Sequence, residues 1–186
     1  MASPTAFCPI PDADLARYPR VGTRETDLLD LLRIWDGLLR GRRWPRRADI
    51  DPETFRRHLG ELMLIEVDRA PLRFRYRLIG AKITEAAGYD MTGETFEDQP
   101  DPVFRAFCIA LFTEALEHGD PVSAAGTRVI ADEPFQFDSL LLPLSSDGER
   151  IDQYLAKLVY PKRLNGGRRP KPGTWRSKQE RRAAPG

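Results

Sequence analysis

The sequence has 186 residues, 41% of them hydrophobic and 31% charged. That suits one domain with tails, since domains usually run to roughly 100–200 residues, and it supplies enough apolar material to exclude a wholly disordered chain. No stretch approaches the roughly 20 apolar residues that a spanning helix needs, which excludes a helical membrane span. The net charge of +1 hides an asymmetry: residues 161–186 hold nine Lys/Arg against the single acid Glu180, so the remainder is net acidic. Cys8 and Cys108 lie far apart, and neither has metal or redox spacing. Few cysteines and no secretory signal in the first 20 residues point by default to a reducing, cytoplasmic location.

Residues 1–22 are Pro-rich and aperiodic and read as a flexible lead-in. A helix is predicted over 24–40, where Leu28, Leu31, Leu32, Trp35, Leu38 and Leu39 fall at the spacings of one face and Gly41 is the stop. So many apolar side chains on one stripe must be covered, either by a sheet or by a second copy, which makes Leu31 and Trp35 candidate interaction residues. An arginine cluster follows (Arg40, Arg42, Arg43, Arg46, Arg47) with Trp44 inside it. Asp51 and Pro52 then have the N-cap and first-turn chemistry of a short helix ending near Gly60.

From there the period changes. Residues 61–67 read as a strand and 68–71 as a turn. In 72–79, Leu72, Phe74, Tyr76 and Leu78 alternate with Arg73, Arg75 and Arg77, as in a strand with one face inward. Residues 81–99 carry short helical pieces broken by glycines. Asp101-Pro102 opens a longer helix to about His118, closed by Gly119. Three strands follow, at about 121–130, 135–144 and 151–160. The order strand, strand, helices, strand, strand, strand predicts an α+β fold: a five-stranded antiparallel sheet, helices packed on one face, and a preceding amphipathic helix. The basic tail 161–186 has almost no residues that could be buried and reads as disordered in isolation.

These pieces in this order resemble PAS domains: Trp35-Asp36 in a leading helix, Arg47 through Pro52, Phe74-Arg75-Tyr76-Arg77-Leu78-Ile79-Gly80, then Gly88, Asp90, Thr92-Gly93 and Leu142-Pro143-Leu144. They are similar to the short PAS-like proteins common in alphaproteobacteria, over roughly residues 24–160. The resemblance implies a domain 23–160 acting as a sensory or regulatory module. Such a module binds a small molecule between sheet and helices, or pairs with a protein partner, another copy included. With no kinase, cyclase or DNA-binding domain in the sequence, output is expected through a partner in trans.

The residues argue against haem, flavin and metal. His58 and His118 are 60 positions apart, and a zinc site usually needs three or four closely spaced ligands. His118 is better placed to complement a helix terminus. The Phe-Cys-Ile string around Cys108 is unlike the Asn-Cys-Arg-type string of flavin-adduct thiols. No phosphate loop, nucleophile elbow or dinucleotide fingerprint is present, and the chain is not expected to be an enzyme.

Periodicity nominates Tyr76, Leu78, Phe104, Cys108, Phe112, Leu140 and Tyr154 as candidate pocket residues. A plain core and a ligand pocket both fit this set. Arg77 belongs to a solvated arginine face, to an ion pair, or to a surface for an anionic partner. An alternative function is that of a nucleic-acid-associated accessory protein using the basic tail and the Arg40–Arg47 cluster, with Trp44 or Trp175 stacking on bases. The net acidic globule and the lack of a recognition signature make nucleic acid the weaker reading.

Overall fold

The computed structural model describes residues 16–130 and 133–159. Residues 1–15 of the predicted lead-in, Cys8 among them, and the basic stretch 161–186 with Trp175 lie outside the described residues. Five strands, β1 (Leu62–Arg69), β2 (Leu72–Ile79), β3 (Val122–Ile130), β4 (Glu133–Leu144) and β5 (Gln153–Val159), form one sheet in the order β2-β1-β5-β4-β3. Every pairing is antiparallel, as expected from the strand order.

Among the described residues three α-helices accompany the sheet: α1 (Thr26–Gly37), α2 (Ala81–Ala87) and α3 (Pro102–His118). The carboxylate of Asp101 caps α3 by accepting from the backbone N–H groups of Val103 and Phe104, and Gly119 ends it in the left-handed region. The predicted short helix after Asp51 is a run of turns leading into a 3-10 turn at Leu59–Glu61. Asp51 does cap it, accepting from the Thr54 backbone and hydroxyl. Gly80 starts α2 against that turn: a Cβ there would lie 2.4 Å from the Gly60 carbonyl oxygen, so the glycine of the Leu-Ile-Gly string is required by close backbone approach.

The central strands of the sheet are buried on both faces. Pairing puts Leu141 opposite Ala156, and Leu140 opposite Lys157. Tyr154 of the first set packs on Phe112 of α3. The second set lies beneath α1, where Leu28, Leu31, Leu32 and Trp35 are buried and the Trp35 indole donates to the Pro143 carbonyl at 3.0 Å. Leu31 and Trp35 are therefore covered within the chain and present no face to a partner, which corrects their candidacy as interaction residues.

The last part of the predicted flexible lead-in also packs. Tyr18 and Val21 are buried, Tyr18 sets its ring edge-on to Trp35 and bonds Asp36, and the Arg20 carbonyl accepts from Ser123 on β3. Residues 16–22 thus have apolar and backbone partners that the proline count hid.

A polar cluster fastens α1 to the sheet. Lys157, mid-strand in β5 and 0% exposed, reaches His58 Nδ1 at 2.9 Å, Glu61 at 3.0 Å and Asp27 of α1 at 3.6 Å. His58 Nε2 lies 3.1 Å from Asp30 of α1. An ammonium group can only donate, so Nδ1 must accept, and Nε2–H must then donate to Asp30. Protonating Nδ1 would set two donors face to face.

Burial and the Lys157 charge hold the His58 imidazole below its ordinary range, outweighing the pull of Asp30. Below about pH 6.5 the unfolded chain therefore binds a proton that the folded one refuses, and stability falls with pH at up to ~1.4 kcal/mol per unit from this group. Above about pH 7 the contribution is complete. Chemical denaturation of wild type and His58→Gln between pH 7.5 and 5.5 should show a steeper loss in the wild type; parallel curves would contradict this arrangement.

Candidate functional site

Between the sheet and α3 the side chains leave a cavity. Its walls are largely apolar: Met63 and Ile65 of β1, Ile83 and Ala87 of α2, Leu141 of β4, and Ala156 and Leu158 of β5. Phe96 stands at the centre of an aromatic group, with ring centroids 4.8 Å from Tyr76, 5.4 Å from Phe74 and 4.9 Å from Phe112. The cavity is partly open to solvent and has a volume of about 40 Å3. A single water needs roughly 10–15 Å3 on the same measure, so this space has room for more than one water.

One end of the cavity is polar. Arg128 of β3 lines it at 5% exposure, with its guanidinium 4.3 Å above the Phe104 ring and 5.8 Å from the Tyr89 ring. Arg128 donates to the Tyr89 hydroxyl. The Tyr89 hydroxyl donates to Gln99 Oε1 at 2.9 Å, and Gln99 Nε2 donates to the Tyr76 hydroxyl at 3.1 Å. Burial pushes the Tyr76 hydroxyl well above the ordinary tyrosine range, with a further push from Cys108, so it stays protonated.

Of the nominated residues, Tyr76, Phe104, Cys108 and Phe112 line this cavity. Three others do not. Leu78 is 47% exposed, because β2 carries a bulge: Leu64 pairs with Leu78 and Ile65 with Tyr76, leaving Arg77 unopposed. One extra residue inverts the alternation beyond it, so Ile79 takes the inward place that strict periodicity gave to Leu78. Leu140 is buried on the opposite face, under α1, since both faces of β4 are covered and its apolar run could not show which residues faced the helix. Tyr154 is buried behind Phe112; its hydroxyl has no hydrogen-bond partner among the described residues.

Arg77 is exposed and faces Glu66 at 3.5 Å. In the arginine cluster, Arg42 is bound to Asp49 at 2.6 Å, and Arg43 lies over Trp44, whose buried indole donates to the Gly119 carbonyl. Trp44 thus offers no ring face for stacking on bases. Tyr89, Gln99 and Arg128 were not among the sequence candidates. Tyr89 and Gln99 sit in aperiodic segments around short helices, and a charged residue in an edge strand reads as solvated.

The Cys108 thiol lies mid-helix in this wall, and desolvation raises it to about 12, so it is not a ready nucleophile. Among the described residues no three His, Cys, Asp or Glu side chains group to hold a metal. No helix among them is long and apolar enough to cross a membrane.

A five-stranded antiparallel sheet in the order β2-β1-β5-β4-β3, with helices packed over one face and a cavity beneath them, defines the class of domain. The chain belongs to the PAS domain family, whose model matches residues 24–159. The chain is also similar to several solved structures. A LOV protein of Rhodobacter sphaeroides is 18% identical, with 62% of this chain and 71% of that one covered and a TM-score of 0.46. The N-terminal domain of a Marinobacter aquaeolei diguanylate cyclase with PAS/PAC sensor is 11% identical, with 54% and 94% covered and a TM-score of 0.42. An RNA-binding light-oxygen-voltage receptor is 17% identical, with 62% and 35% covered and a TM-score of 0.43. No curated protein matches the chain.

Proposed function

We propose that this PAS domain senses a small molecule in the cavity between its sheet and α3 and passes occupancy to a protein partner in trans, working by binding and not by turnover. The observation that carries this reading is the cavity itself: apolar walls drawn from strands and two helices, with a few convergent polar groups at one end, the usual make-up of a small-molecule site. Occupancy would bear on both layers, because the same strands that wall the cavity support α1 on their other face. A reducing, cytoplasmic setting suits the free Cys108 thiol.

Substitution at Cys108 separates pocket from core. Cys108→Ser should fold and take up a small molecule from cell extract. Cys108→Trp places a bulky ring in the cavity, costs about 1–3 kcal/mol by overpacking, and should fold yet retain nothing on mass analysis of the desalted protein. Equal retention by both variants, or retention by neither, would overturn the reading.

A further inference from the structure

We infer that the loop from Arg40 to Arg47 docks a protein partner through a short run of the partner's aspartate and glutamate side chains; this rests on the reading that output passes to a protein partner. The loop follows α1 and carries five arginines. Buried anchors fix its backbone. The Arg42 guanidinium donates to the Leu38 carbonyl at 3.0 Å and to Asp49 at 2.6 Å. Trp44 and Pro45 are buried, the Trp44 indole donates to the Gly119 carbonyl at 2.8 Å, and the Pro45 carbonyl accepts from the Ser145 N–H at 3.0 Å.

The other four arginines, Arg40, Arg43, Arg46 and Arg47, are exposed. Among the described residues none of the four forms an ion pair. Asp49 is the only acid between Arg40 and Ile50, and it is taken by Arg42 and by the Arg46 backbone N–H at 2.7 Å. Arg43 lies over the Trp44 ring at 4.4 Å, which places its charge on the surface of the loop. Arg40 has a φ of +47°, directly before Gly41 at +82°. This left-handed stretch after a helix is where glycine is usual, and a residue with a Cβ is unfavourable there. Within the fold the Arg40 guanidinium feels the more distant pull of Asp49 and makes no contact that offsets this strain. A charged side chain kept at a strained position without a partner inside the fold is accounted for by a partner outside it. Carboxylates complement grouped guanidinium forks, and arginine clusters recur in the recognition of acidic segments.

The rim of the loop favours a protein over a nucleic acid. Asp120 adjoins Gly119, which lies against Arg43 and Trp44, and its side chain is half-exposed. Asp147 is exposed in the β4–β5 turn, two residues after the Ser145 that bonds Pro45. A phosphate backbone, charged at every nucleotide, would run from the arginines onto these carboxylates, whereas a short acidic segment ends before them. The buried Trp44 ring offers no base a surface for stacking.

The test titrates the full chain with octaglutamate, octaglutamine and octathymidylate. Affinity is taken from the labelled Trp44 indole N–H signal, which reports the loop, so that binding to residues 161–186 does not count. Octaglutamate should shift this signal at lower concentration than octathymidylate, and octaglutamine should leave it still. Arg40→Glu, Arg46→Glu and Arg47→Glu together should weaken octaglutamate ~tenfold or more, because opposite charges meet at the contact. The same charge change in the tail, by Arg176→Glu, Arg181→Glu and Arg182→Glu, should leave the affinity within about twofold, since exposed charges beyond a Debye length are screened. Arg40→Gly should weaken octaglutamate several-fold while raising folding stability, an outcome that a structural role for Arg40 would not give. Equal weakening by the loop and tail variants, a Trp44 signal unmoved by octaglutamate, an Arg40→Gly variant that binds like the wild type, or tighter binding of octathymidylate would each overturn the assignment. The titration reads the loop whether or not the cavity holds a molecule. Its failure therefore strikes this surface alone, while failure of the Cys108 pair strikes the sensing reading.

Discussion

Replacing Trp35 by alanine should lower folding stability by about 3–5 kcal/mol, the range for a buried large aromatic truncated to a methyl. The indole is enclosed between α1, the sheet and Tyr18, and its N–H donates to the Pro143 carbonyl. The substitution removes apolar contact, opens a cavity and leaves the buried carbonyl without its donor. Denaturant titration with an unchanged slope and a shifted midpoint would confirm the loss. Trp35→Phe should recover most of the packing but not the hydrogen bond. A Trp35→Ala variant as stable as the wild type would mean that α1 is not docked on the sheet.

Lys157→Met should cost roughly 3 kcal/mol, at the low end for breaking a buried ion pair. The methionine nearly matches the lysine stem in volume, so little of the loss comes from packing. What is lost is the donor to His58 Nδ1 and the ammonium facing Glu61. Burial alone would raise the Glu61 carboxyl, but bonds and charge from Lys157, helped by Lys82, hold it below the usual range. Glu61 is 24% exposed and keeps Lys82 at 3.2 Å, which limits the damage.

Adding Glu61→Gln and His58→Leu to Lys157→Met should restore part of the stability, because a buried polar cluster removed whole costs less than one left half made. Additive losses in the triple variant would contradict the coupling between these groups. Such a cluster also accounts for a lysine in the middle of an otherwise apolar strand, Tyr-Leu-Ala-Lys-Leu-Val.

The sequence exposed the large periods and hid the local exceptions. Leucines three and four apart located α1, Asp101 and Gly119 bounded α3, and the antiparallel sheet followed from strand order. Leu78 was misread because a single bulged residue, Arg77, inverts inward and outward without leaving a mark in composition. Leu140 was misread because a strand covered on both faces has no polar alternation to give its faces away. The polar end of the cavity was illegible for another reason. Arg128 is 39 positions from Tyr89, and its meeting with Tyr89 and Gln99 depends on the approach of the 88–99 segment to an edge strand, which no local pattern encodes. Lys157 and His58 are likewise separated by 99 positions and joined only by the pairing of β5 with β1 and the seating of α1.

The central claim is that the cavity holds a molecule, and the native mass of the gently purified protein tests it most directly. A species heavier than the chain by the mass of one small molecule is expected, released on denaturation and absent from Cys108→Trp. A bare chain mass, persisting after incubation with cell extract, would contradict it.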